Sequence, residues 1–188
     1  AHAALVIGDP PVTVLSRLPA ARQEAESIAL LLEQYGFVPV VREIDTSAAS
    51  ILCALHTHEV KVLHLAGHGV YRYEGGGDGE WVTGMVIGDK EFLTAVELEQ
   101  MRHVPELVFV NCCHLGKLDT AMESDLALAT REQRHQFAAS FAESLIGMGV
   151  RAAIVAGWAI GDQAARIFAQ TCYRALLMGN TFGQAVLQ

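Results

Sequence analysis

The sequence predicts an α/β fold in which a mostly parallel sheet is covered by helices on both faces. Short apolar runs at 4–7, 38–44, 60–66, 107–110 and 152–155 read as buried strands, and amphipathic stretches at 20–35, 137–148 and 162–178 read as helices. The two kinds alternate along the chain, the pattern of parallel strands joined by crossover helices. A glycine-rich stretch at 71–89 breaks the alternation once and reads as a hairpin excursion outside the main sheet.

Each element has a local reason. The run at 4–7 closes at Gly8-Asp9-Pro10-Pro11, where two prolines can continue neither a ladder nor a helix. Ala21, Ala25, Ile28, Leu31 and Leu32 then recur at helical spacing until Gly36 ends the helix. The β-branched run at 38–44 precedes a helix capped by Thr46 or Ser47 and reaching about Leu55. The strand at 60–66 ends at Gly67, and in the excursion Gly75 to Gly77 form the tip and 81–87 a short strand. Thr94 caps a short helix through Met101, 117–134 reads as a loop with a helical turn, and Gly179 stops the long helix. The final TFGQAVLQ has a helical pattern.

Of the 188 residues, 52% are hydrophobic and 18% charged, too apolar for disorder and long enough for one compact domain with a substantial core. Thirteen basic against twenty-one acidic residues leave a formal charge of −8 with no basic cluster, which excludes a phosphate-tracking surface and makes a direct nucleic-acid partner unexpected. Mean hydropathy is +0.30, yet the uncharged run at 152–161 is about half of what a spanning helix needs, so no membrane partner is expected. Four cysteines without CxxC spacing, and no leader pattern, read as free thiols of a reducing, cytoplasmic compartment. A chain that opens almost inside a strand and closes within a helical pattern reads as a single domain, 1–188, excised from a longer protein.

In an open parallel sheet, chemistry collects at the carboxyl ends of the strands. That rule selects Gly8-Asp9, His68-Gly69, Asn111-Cys112-Cys113-His114 and 157–162, and so converges a histidine, a cysteine and two aspartates. A thiol with an imidazole in reach is a minimal nucleophile and acid pair: the thiolate attacks a carbonyl and the histidine protonates the departing amine. A turn after the 107–110 strand would aim backbone N–H groups into the site, lowering the thiol pKa and binding an oxyanion. Gly69, without a side chain, lets its own N–H approach the same oxygen.

Other chemistries fit less well. Cys53 and Cys172 fall on helices where packing explains them, and His64, on an apolar strand, reads as a core histidine. His64, His68, Cys112, Cys113 and His114 are metal-ligand types, but a strand entering a glycine turn does not put residues four apart on one face, and neither CxxC nor HExxH accompanies them. Neither GxxxxGK, GxGxxG nor GxSxG occurs, so no metal, nucleotide or other cofactor is expected and a serine hydrolase is disfavoured.

The succession GDP, ARQEAESIALLL, VLHLAGHG, GMVIGDKEFLTAVELEQM, LVFVNCCHLG, IVAGWAIGD and MGNTFGQAV resembles the CHAT domain, the bacterial caspase-like peptidase module related to separase, over nearly the whole chain. HG after one strand and NxCxxG after the next carry the likeness as a set. It implies a caspase-like three-layer α/β/α sandwich and a cysteine endopeptidase of clan CD. By phase from Asn111 it places the nucleophile on Cys113, with Cys112 pointing into the core, and the general acid on His68. The oxyanion donors fall on the N–H groups of Gly69 and Cys113.

Likeness to separase further implies that Asp162 floors a pocket for an Arg or Lys on the acyl side of the cleaved bond, although helix capping would equally explain it. Asp9 could line the same pocket, or serve the turn with Pro10. The expected partners are a protein or peptide substrate and upstream repeat or sensor domains, with 117–134 as the gating segment. The departures from the family pattern are the Cys112-Cys113 pair and the added imidazole of His114. The alternative is a catalytically silent caspase-like scaffold for protein binding and signalling.

Overall fold

The computed structural model describes residues 2–41, 47–74, 81–115, 131–156 and 161–188, and of Val40, Val41, Cys113, His114, Leu115 and Asp162 it describes the backbone alone. The element order is β1 (His2–Gly8), α1 (Pro19–Gln34), β2 (Phe37–Val41), α2 (Ala48–Thr57), β3 (Val60–Glu74), β4 (Trp81–Gly88), β5 (Glu91–Thr94), α3 (Ala95–Glu99), β6 (Leu107–Leu115), α4 (Arg131–Gly147), β7 (Ala152–Val155), α5 (Asp162–Leu177) and α6 (Phe182–Val186). Strands β2, β1, β3, β6 and β7 pair in that order and all in parallel. This is the mostly parallel central sheet, flanked by helices, that the sequence predicts, and its layers match a caspase-like sandwich.

Two-residue alternation divides the core. Leu63, Leu65, Val108, Val110 and Cys112 pack with Ile51 and Leu55 of α2 and Phe137, Phe141 and Leu145 of α4. Val62 and Phe109 pack on the other face with Ile28 and Leu32 of α1 and Ala169 and Tyr173 of α5. Alpha1 lies close on β1 because Gly8 has no side chain: a Cβ there would stand 2.7 Å from the Ala21 carbonyl oxygen.

Several boundaries differ from the sequence expectation, each for a tertiary reason. The glycine-rich excursion is not outside the sheet: β4 pairs antiparallel with the outer half of β3 and β5 with β4, extending the same seven-stranded sheet. Beta3 accordingly does not stop at Gly67 but runs to Glu74, because β4 takes over the edge that β1 vacates after Gly8 meets Ala66. Beta6 likewise continues through Asn111–His114, where a turn was expected, because β3 keeps offering it a ladder.

Alpha4 starts at Arg131, so the end of the expected 117–134 loop is helical, while residues 117–130 lie outside the described residues, as do the 75–77 tip and 42–46. Ser47 rather than Thr46 caps α2, accepting from the Ser50 amide. Alpha3 ends at Glu99, two residues before Met101, and Thr94 with Glu97 forms its capping box. Cys53 is exposed rather than packed, because the apolar face of α2 is carried by Ile51, Ala54 and Leu55.

Candidate functional site

His68, Gly69 and Cys113 lie at the carboxyl end of the sheet on the paired strands β3 and β6, not on loops, whereas Asp9 follows β1 and Asp162 begins α5. His68 sits in β3, and its register partner in β6 is His114, the neighbour of Cys113; Gly69 pairs with Leu115. From Ala66 to His68, β3 advances two residues while β6 advances three, from Asn111 to His114. Cys112 and Cys113 therefore share the single opposing residue Gly67, a β-bulge, the device that turns a strand end out of regular alternation. Cys112 is 1% exposed and packs in the α2/α4 core, as its expected inward orientation requires.

His68 is 4% exposed, and its Nε2 lies 2.7 Å from the carbonyl oxygen of Ser16. A carbonyl can only accept, so the Nε2–H donates and the neutral ring keeps its lone pair on Nδ1. Ser16 belongs to the segment between β1 and α1, which sequence reasoning passed over because nothing in a backbone carbonyl marks its residue type.

Asp9 follows β1 with φ 47°, a left-handed conformation that aspartate tolerates. Its carboxylate is 3% exposed and receives Arg17 Nε at 2.8 Å, while Nη2 of the same guanidinium reaches the Asp9 carbonyl oxygen at 3.2 Å. Asp162 is the first residue of α5, and Gly161 occupies the cap position. Asp162 is therefore not the cap residue, the alternative that the sequence left standing. Residues 157–160 lie outside the described residues.

Beneath this edge lies a polar network the sequence did not announce. Glu24 of α1, 2% exposed, accepts from Asn111 Nδ2 at 2.9 Å, and its other oxygen lies 3.2 Å from His64 Nε2, an ion-pair approach without the alignment of a hydrogen bond. His64 Nδ1 lies 3.3 Å from the Tyr173 hydroxyl, whose pKa is pushed well up by burial and further by Cys172 and Glu24. His64 is thus the core histidine it was expected to be. Glu24 sat in the sequence among surface-type charges of an amphipathic helix, and only its position on the wheel beside Ala25 and Ile28 marks it.

Among the described residues no group of three or more His, Cys, Asp or Glu side chains could hold a metal ion. No helix among them is long and apolar enough to cross a membrane. A cleft of about 500 Å³ between α3 and α4 lies at the opposite end of the sheet, lined by Leu63, Leu98, Glu99, Met101, Val108 and Ser144, and is remote from His68.

The family model described as CHAT domain matches residues 1–188. No curated protein and no solved structure matches the chain.

Proposed function

Because the chain belongs to the CHAT domain family, a family associated with caspase-like cysteine peptidases, we propose that it is a cysteine endopeptidase acting through Cys113 and His68. The observation that carries the reading is the fixed tautomer of His68, one residue out of register from Cys113 across the β3–β6 bulge.

In the proposed reaction His68 Nδ1 takes the proton of the Cys113 thiol and the thiolate attacks the carbonyl carbon of the scissile bond. The negative charge that develops on the carbonyl oxygen is met by the N–H groups of Gly69 and Cys113. The C–N bond then breaks, the imidazolium gives its proton to the leaving amine, and a thioester remains on Cys113. Water, deprotonated by His68, attacks the thioester carbonyl, the C–S bond breaks to release the carboxylic acid, and the imidazolium returns its proton to the Cys113 sulfur. These steps require no metal and no organic cofactor. Asp162, at the first helical position of α5, is the group we assign to an Arg or Lys of a protein substrate on the acyl side, a charge-matched contact. Regulation by sensor segments elsewhere in the protein fits the same reading.

The test is incubation with an arginine-directed acyloxymethyl ketone, with any adduct located by peptide mass. An adduct on Cys113, lost in Cys113→Ala and weakened in Asp162→Ala, is expected. Absence of any adduct, with Cys113 no more reactive toward iodoacetamide than Cys53, would instead identify a silent binding scaffold.

A further inference from the structure

If His68 is the acid and base, its ring must be held while the proton moves, and the segment from Asp9 to Arg17 supplies a holder. The Asp9 amide donates to the Ala66 carbonyl at 2.9 Å, two residues before His68. Arg17 then grips Asp9 twice, on the carboxylate and on the carbonyl, at 2.8 and 3.2 Å. Its neighbour Ser16 presents the carbonyl that receives His68 Nε2–H at 2.7 Å. The bonds run from β3 through Asp9, Arg17 and Ser16 and return to β3.

We infer that Asp9 and Arg17 are positioning residues whose clasp holds the Ser16 carbonyl against His68, fixing the ring's tautomer and direction. The inference rests on the peptidase reading for its catalytic meaning, not for its geometry. A carbonyl on a segment without regular structure has no ladder to hold it, and a guanidinium forked onto one residue's side chain and main chain removes that freedom. The rest of the segment is anchored separately. Val12 and Leu15 bury against Val70 and Val86, and Thr13 donates to Asp89 from its amide at 2.7 Å and its hydroxyl at 2.6 Å. Removing the clasp therefore loosens the hold on the Ser16 carbonyl without releasing the segment. It follows that the Asp9 carboxylate is occupied by the chain's own arginine, and recognition of a basic substrate side chain falls to Asp162.

The experiment compares the parent with Arg17→Ala, Arg17→Lys, Asp9→Asn and Thr13→Ala, and has two readouts. The first is the imidazole Nε2–H proton of His68 in nitrogen-edited NMR, assigned by its loss in His68→Gln and measured in a Cys113→Ala background. A slowly exchanging signal in the parent and in Thr13→Ala, lost in Arg17→Ala and Asp9→Asn and partly regained in Arg17→Lys, is expected. The second is peptide cleavage, where Arg17→Ala and Asp9→Asn should each lower kcat by roughly ten- to a hundredfold with KM nearly unchanged.

A signal that persists in both clasp variants, that is absent from the parent, or that is lost equally in Thr13→Ala overturns the clasp. So does an Asp9→Asn variant that raises KM for arginine substrates alone, which would make Asp9 the substrate's receptor. If the signal behaves as expected while no form cleaves peptides, the peptidase reading falls and the clasp stands as the holder of His68.

Discussion

Glu24 of α1 and His64 of β3 bring Oε1 and Nε2 within 3.2 Å where neither side chain is more than 2% exposed. A carboxylate buried so deeply is tolerable only with partners, and Asn111 Nδ2 at 2.9 Å supplies another. The network ties α1, β3, β6 and α5 together directly under the bulge that carries Cys113. Glu24→Ala is expected to cost about 1–3 kcal/mol in denaturant unfolding, because it removes the acceptor of Asn111 Nδ2 and the carboxyl group beside buried His64. The pair replacement Glu24→Leu with His64→Phe should recover most of that loss; a double variant as unstable as the single one would show that packing, not the stranded polar groups, sets the cost.

The thiols should rank by environment. Burial pushes the Cys172 thiol pKa up, so at neutral pH its thiolate fraction falls, whereas Cys53 is exposed. Under limiting iodoacetamide, peptide mass should find Cys113 labelled before Cys53, and Cys112 and Cys172 last. Labelling of Cys172 ahead of Cys53 would contradict the packing of α5 against its neighbours.

Gly8→Ala tests the contact between α1 and β1. The added methyl meets the Ala21 carbonyl oxygen at 2.7 Å and the Ala25 side chain, backbone and helix that cannot swing aside. A loss of about 1–3 kcal/mol is expected in urea unfolding. An unchanged midpoint would mean that α1 lies farther from the sheet.

The Thr13–Asp89 tie gives a pH dependence with a definite sign. The Thr13 hydroxyl and amide hold the Asp89 carboxyl below the usual range in the folded protein. A depressed folded pKa contributes stability that is complete above the ordinary aspartate pKa and disappears as pH falls through the lowered value. The Tm difference between the parent and Asp89→Ala should therefore be largest near neutrality and shrink in acid. A difference that grows on acidification would reverse the assignment.

Asp162→Asn keeps the size of the side chain and removes its charge. On the proposed role, kcat/KM for arginine peptides should fall roughly a hundredfold, about 2.7 kcal/mol, with little change for a neutral residue at that position. Equal losses on both substrates would assign Asp162 to the fold instead.

Much of this protein was legible in one dimension. Alternating apolar runs and amphipathic stretches determined an α/β sheet with two covered faces, because strand and helix periods write themselves into local sequence, and β7 at Ala152–Val155 falls where its pattern puts it. HG and NxCxxG placed His68 and Cys113 at one sheet edge. Tertiary structure alone decided the rest. Whether β3 stops at Gly67 or runs to Glu74 depends on β4 arriving at its vacated edge, and that pairing is not a local property of either segment. The bulge at Cys112 and Cys113 exists only as a mismatch between two strands, and the partners of Glu24 and His68 lie 87 and 52 residues away at Asn111 and Ser16. A backbone carbonyl carries no residue-type signal and a buried glutamate looks like a surface one, so the groups that hold the site became visible only once the chain had folded around them.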